Sequence, residues 1–289
     1  MGGTKYMSRK KYNNIEIDTK IKLEKFYFES VEYKESLEKH DDEYFVKYIE
    51  LIKMMQKTGT IFLDVGCGTG YSTKKISELG GVKLAVGSDI SELFIEKKYE
   101  HSNLKFVVGD IHDISTKTKL LELTNDTKFD AIGFCDVIEH LYDLDLVFQT
   151  CHELLKPDGC LIICSPSIYH TVYPIMNAIT NNKKKMPKHH KLNSRTGSVL
   201  LGMNNMMKLA IELIQNNHEI KYHKPDLESG IGGDFDSVNN INNLNIQQAL
   251  NKSGFNIIFD YHNFKEMFFL KKIIYIGSDI RLICKKIES

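Results

Sequence analysis

Apolar and polar positions change period along the 289-residue chain. Between Ile21 and Gln56 charged and apolar residues alternate with helical spacing, and "YFVKYIELIKMM" places apolar side chains at i, i+3, i+4 and i+7, which predicts an amphipathic helix leading into the first strand. The rhythm then becomes strand and helix in turn. "TIFLDVG" reads as strand, "YSTKKISELG" as helix, "KLAVGSDIS" as strand, "ELFIEKKYEH" as helix and "LKFVVGD" as strand. "FDAIGFCDVIEH" follows as strand into loop, "LDLVFQTCHELLKPDG" as helix and "CLIICSPS" as strand. Short apolar strands alternating with amphipathic helices predict an α/β protein with a doubly wound, mostly parallel sheet and helices on both faces. Gly80 and "KPDG" supply the expected helix stop signals.

After Ser167 the pattern breaks. Residues 168–243 contain two expected helices and two basic or His-containing loops, "NNKKKMPKHHK" and "HEIKYHKPD", and read as a helical cap inserted into the core. "NIQQALNKSGF" as helix, "NIIFDYH" as strand and "IRLICKKI" as a final, antiparallel strand then resume the core. The expected division is an N-terminal helical lid segment at 1–44, a nucleotide-binding core at 45–167, the cap at 168–243 and the C-terminal part of the core sheet at 244–289.

Lys and Arg total 38, as do Asp and Glu. That balance argues against a broad electrostatic footprint for nucleic acid or an anionic membrane and leaves a small molecule as the expected partner. No apolar run approaches the roughly 20 residues that span a bilayer. The start, "MGGTKYMSRKKYNN", lacks the apolar core of a signal peptide, so a cytoplasmic protein is expected. Six cysteines without a CxxC pair read as reduced, buried thiols. The oligomeric state is left open, a homodimer included.

The chemistry begins at "FLDVGCGTGYS" (62–72). Gly66, Gly68 and Gly70 allow a tight turn and a close approach to a ligand. The helix that follows points its N-terminal amides at whatever binds. A dinucleotide fingerprint would place its third glycine where Tyr71 stands, and Asp64 at the strand end would repel a pyrophosphate but welcome an ammonium or sulfonium group.

"LDVGCGTG" resembles the first motif of the class I S-adenosylmethionine-dependent methyltransferases, whose fold is Rossmann-like, and the match continues in order through "GSDIS", "VVGDIHDI", "FDAIGFCDVIEHL" and "LLKPDGCLIICSP". The resemblance implies S-adenosylmethionine as cofactor, with S-adenosylhomocysteine as product. Asp64 would favour the methionyl end, directly or through water, and Cys67 and Cys135 would line the site. Asp89, 19 residues beyond Gly70, would take the ribose hydroxyls beside Ile90, and Asp110 with Ile111 would contact adenine. Asp89 could instead cap a helix, and Asp110 a turn. Tyr71 and Tyr44 could pack or close over the cofactor.

The methyl group should point to the end of the fourth strand, where "DVIEHL" offers His140 and Glu139 as base or substrate contact. A histidine satisfied by a backbone carbonyl is the alternative. The segment is similar to the "E-x-x-E-H" stretch of ubiquinone-pathway O-methyltransferases, which is associated with a divalent metal. Asp136, Glu139 and His140 copy it imperfectly, and no metal site is assigned. In the cap, His189, His190, Asp234 and Asp236 are the candidate acceptor-binding residues, against a solvated loop and a turn. The expected activity is O-methylation of a sugar or other hydroxyl. An N-methyltransferase or a catalytically silent cofactor-binding scaffold is the alternative.

Overall fold

Thr60–Val65 is buried along its whole length, as a strand covered by helices on both faces must be, and forms an interior strand, β1. In this computed structural model, residues 15–95, 99, 101–167, 195–215, 218–227, 236–263, 266–267 and 279–287 are described. The other long strands are β2 (Val82–Asp89), β3 (Leu104–Val108), β4 (Phe129–Cys135) and β5 (Leu155–Ser165). The short β6 (Lys221–Tyr222) and β7 (Asn239–Asn240) pair with each other, and β8 (Phe255–Asp260) and β9 (Ile280–Lys286) complete the main sheet. Its order is β3-β2-β1-β4-β5-β9-β8. All pairings are parallel except those of β9, which runs antiparallel between β5 and β8, as expected of the last strand. Strand order reverses between β1 and β4, and a crevice at the carboxyl ends of the strands is where such sheets bind ligands.

Alternation along β1 sends Ile61, Leu63 and Val65 into one core layer and Phe62 into the other. The first layer packs Ile132, Phe134 and Phe148; the second packs Tyr48, Leu51 and Ile52.

The single helix expected over 21–56 is instead three: α1 (Ile15–Glu29), α2 (Val31–Leu37) and α3 (Asp42–Met55). Local capping breaks it, because Ser30 accepts from the Tyr33 amide and Asp41 from those of Glu43 and Tyr44, starting a new helix each time. Helix α4 (Tyr71–Ser77) ends before the sequence "ELG", and Gly81, at φ +107°, takes the left-handed position rather than Gly80. The helix expected from Glu92 begins as a turn, with the Phe94 amide donating to Ser91. Helix α5 (Ile114–Leu123) carries no expectation from the pattern, since it buries only Thr116 and Leu120. Helix α6 (Leu144–Leu154) passes directly into β5 at Leu155, five residues before "CLIICSPS", with Asp158 in the left-handed region at φ +63°. Helix α7 (Arg195–Gln215) follows β5, and α8 (Asn243–Lys252), closed at its start by an Asn242–Asn245 capping box, returns the chain to β8.

Candidate active site

Gly66 and Gly70 adopt φ +69° and +81° between β1 and α4. A Cβ on Gly66 would overlap the Val137 side chain, and one on Gly70 would lie 2.7 Å from the Phe106 ring, so the loop is glycine by necessity. Gly68, at φ +53°, and buried Cys67 complete it. Asp64 lies beneath the loop with its hydrogen-bonding capacity largely committed. Oδ1 accepts from Tyr48 Oη at 2.7 Å, and Oδ2 accepts from Ser72 Oγ at 2.6 Å and Thr73 Oγ1 at 2.7 Å. Burial pushes this carboxyl up, against the pull of the three hydroxyls. With three of roughly four acceptor positions taken, Asp64 clamps α3 and α4 to the end of β1. Little of it is left for direct contact with a ligand.

Asp89, at the end of β2, accepts from the Gly68 amide at 2.8 Å and the Ser91 amide at 3.0 Å. Burial raises its carboxyl to about 6, so it gains the proton far more readily than an exposed aspartate. Ile90 and the buried Ile111 line the same cavity, of about 310 Å³. Asp110 follows β3. It accepts from the His112 amide at 2.9 Å and from Tyr142 Oη at 3.0 Å, and lies 2.5 Å from His112 Nδ1. Burial alone would raise Asp110, but His112, through hydrogen bonds and charge, and Tyr142 hold it at about 2. Lys20 of α1 approaches to 3.6 Å.

At the end of β4, Cys135 lines the cavity opposite Cys164, and the hydrogen bond its thiol gives to that sulfur, together with burial, pushes Cys135 up, so it stays a thiol. The next residue, Asp136, stands at φ +53°, an uncommon position for a non-glycine residue. Its carboxylate accepts from the Tyr44 hydroxyl, and Tyr44 stacks on His40 with 3.7 Å between ring centroids. Glu139 is buried and accepts from Ser165 Oγ at 2.9 Å. The His140 ring sits between two carboxylates, with Nδ1 3.5 Å from Asp236 Oδ2 and Nε2 3.6 Å from Glu139 Oε1. Tyr27 Oη of α1 donates to Asp236 at 3.0 Å.

The structure thus brings together Asp64, the glycine loop, Asp89, Asp110, Cys135, His140 and Asp236 around one cavity. His189, His190 and Asp234 lie outside the described residues. Asp136 and Glu139 turn to different partners, and among the described residues no group of three His, Cys, Asp or Glu side chains is placed to hold a metal ion. Pattern reasoning missed Lys20, Tyr27, Tyr33, His40 and His112, all lining the cavity. The first four come from the N-terminal helices and their connection, whose sequence shows only helical periodicity. For His112 the sole signal was its place two residues beyond Asp110.

Residues 56–224, more than half of the chain, match a family described as a methyltransferase domain. A ubiquinone biosynthesis O-methyltransferase of Bos taurus is 35% identical over 108 residues, covering 37% of this chain and 28% of the relative. That of Glaesserella parasuis is 28% identical over 119 residues, covering 40% of this chain and 50% of the relative. The chain therefore spans half or less of the length of these two curated relatives. In fold it is similar to the methyltransferase solved with the Trm112 activator from Haloferax volcanii, with TM-score 0.55 and 11% identity over 92% of this chain and 98% of that one. It is also similar to a Clostridium acetobutylicum methyltransferase, with TM-score 0.50 and 18% identity over 86% of this chain and 94% of that one. With the glycine loop, the acidic residue ending β2 and this match in hand, the chain belongs to the S-adenosylmethionine-dependent methyltransferases.

Proposed function

We propose that the protein transfers a methyl group to a hydroxyl of a small molecule, a sugar hydroxyl first and a phenol second, with His140 as the base. The observation that carries this reading is the His140 ring, which lines the cavity just beyond β4 between buried Asp236 and Glu139. Bound in the cavity, S-adenosylmethionine supplies an electrophilic methyl on a sulfonium. The chain's part is to hold the ribose at Asp89, admit the backbone of residues 66–68 close to the methionyl end, align the acceptor and receive its proton.

A carboxylate on either side of the imidazole favours the imidazolium formed when the ring takes that proton. Burial and the charge of Asp236 keep the Tyr27 phenol protonated, so it remains a donor to Asp236 and orients that carboxylate toward His140. The O-methyltransferase names of the relatives agree with a hydroxyl acceptor. In this reading α1 and α2 act as a lid, and His189, His190, Asp234 and Asp236 bind the acceptor.

The test is His140→Gln, with turnover measured on whichever glycosyl or phenolic acceptor a screen returns. A general base contributes roughly 10²- to 10⁴-fold, so kcat should fall by that order while the calorimetric Kd for S-adenosylhomocysteine stays within about twofold. Unchanged turnover would return His140 to a structural role.

A further inference from the structure

Helix α7 carries apolar residues on two sides. One side is covered, with Gly202 buried and Val199, Met206, Ala210 and Leu213 half-buried. On the other, Leu200, Met203, Met207, Ile211 and Ile214 stand 46–72% exposed. With 3.6 residues per turn these five fall within one arc of about 80° and form a single stripe about 21 Å long. A helix that is apolar on both sides is one that is covered on both sides, and a continuous exposed stripe of large apolar side chains marks a contact surface.

The spacing of the stripe identifies what covers it. Successive members lie 3, 4, 4 and 3 residues apart, an order that reads the same in both directions from Met207. A second copy of α7 laid antiparallel, with a two-fold axis at Met207, therefore sets Met207 against itself, Met203 against Ile211 and Leu200 against Ile214. That is the self-complementarity an isologous interface demands, with residue i on j and j on i. The four steps span 14 residues, the 3.5-residue period that keeps a seam facing a partner helix. Five large side chains exposed to this extent leave on the order of 100 Å² open on each, so two copies would bury about 1,000 Å² from the stripe alone, where specific interfaces begin. Charge argues against a lipid surface as the occupant. Helices that lie on membranes line their polar face with Lys and Arg, whereas beyond Arg195 this helix has one Lys, Lys208, and one acidic residue, Glu212.

We propose that the stripe on α7 is a dimer seam, occupied by the same stripe of a second copy of this chain in antiparallel register about Met207. The proposal is independent of the acceptor and of the base. An interface of this size sits at the weak end, so monomer and dimer exchange with a dissociation constant on the order of 10 µM.

The test is sedimentation equilibrium of the full chain from about 1 to 200 µM, a range that brackets such a constant. Wild type should pass from monomer to dimer across it. Met207→Lys sets two like charges face to face at the axis and should raise the constant tenfold or more, whereas Met207→Leu should leave it within about threefold. Residue 207 is exposed in the single copy, so the Lys variant should keep the wild-type thermal midpoint at 1 µM or below. A wild type that stays monomeric, or a dimer that Met207→Lys does not weaken, would overturn the proposal. Cysteine pairing under mild oxidation, with wild type as the control for the native thiols, reads the register. Met207→Cys should form a linked dimer by itself, and Leu200→Cys should do so only when Ile214→Cys is in the same chain. Leu200→Cys linking as well alone would mean parallel helices and refute the antiparallel seam. A monomer that floats with phosphatidylcholine–phosphatidylserine vesicles, and ceases to with Met207→Lys, would give the stripe to a lipid surface instead.

Discussion

Asp89 is the residue at which the proposed ribose contact and the glycine loop share one buried carboxylate. It holds the Gly68 amide, and burial raises it to about 6. In the proposed reading the ribose hydroxyls would donate to the ionised form, so binding would lower this value and become linked to pH. Affinity for S-adenosylhomocysteine should be flat above about pH 7 and fall, by up to about tenfold per unit, as pH drops below 6. Calorimetry between pH 5 and pH 8 checks this, and a flat profile through pH 5 would remove Asp89 from the ribose. For folding the sign is opposite. A carboxyl raised above its unfolded value of about 3.9 opposes folding when ionised. That cost is complete above 6 and is relieved as pH falls toward 4.

Among the elements, α3 and β4 meet at a contact that explains a glycine with ordinary backbone. A Cβ on Gly133 would collide with the Tyr48 hydroxyl and lie 2.8 Å from Phe62, while that hydroxyl donates to Asp64 at 2.7 Å. Gly133→Ala should therefore destabilise by about 1–3 kcal/mol through overpacking. Tyr48→Phe should cost a similar amount by leaving Asp64 short of a donor. Because both changes act on one contact, the double variant should be less destabilised than the sum. Urea unfolding of the four proteins in the cycle measures the coupling, and strict additivity would mean the two residues do not meet. The helical period of α3 was legible in "YFVKYIELIKMM", but not that Tyr48 would reach beneath the glycine loop. The breaks at Ser30 and Asp41 were not read from the sequence, because the helical period runs on through both and only the structure shows the side-chain caps that start new helices there.

Across the molecule, the N-terminal helices line one side of the cavity, and α2 buries none of its residues. Ser91 Oγ donates to the Tyr27 carbonyl at 2.7 Å, Tyr27 Oη reaches Asp236, and an aromatic group of Phe26, Tyr27, Tyr33 and Phe94 fills the space between. Segments with few buried contacts open more easily than central strands. Hydrogen exchange of α1 and α2 should therefore slow by about an order of magnitude when S-adenosylhomocysteine is added, with β4 and β5 unchanged. Equal protection with and without ligand would mean the helices do not act as a lid. No helix among the described residues is long and apolar enough to cross a membrane. Strand and helix alternation, the glycine loop and the acidic residues ending β2 and β3 followed from sequence by itself, because each is set by a local period or by the backbone of a few neighbouring residues. The seating of Tyr27 on Asp236, 209 residues apart, of Asp236 beside His140, and of Tyr48 and the α4 hydroxyls on Asp64 was decided only by tertiary structure. Those contacts depend on how the helices and the cap-side connection pack over one sheet, and no local spacing encodes that packing.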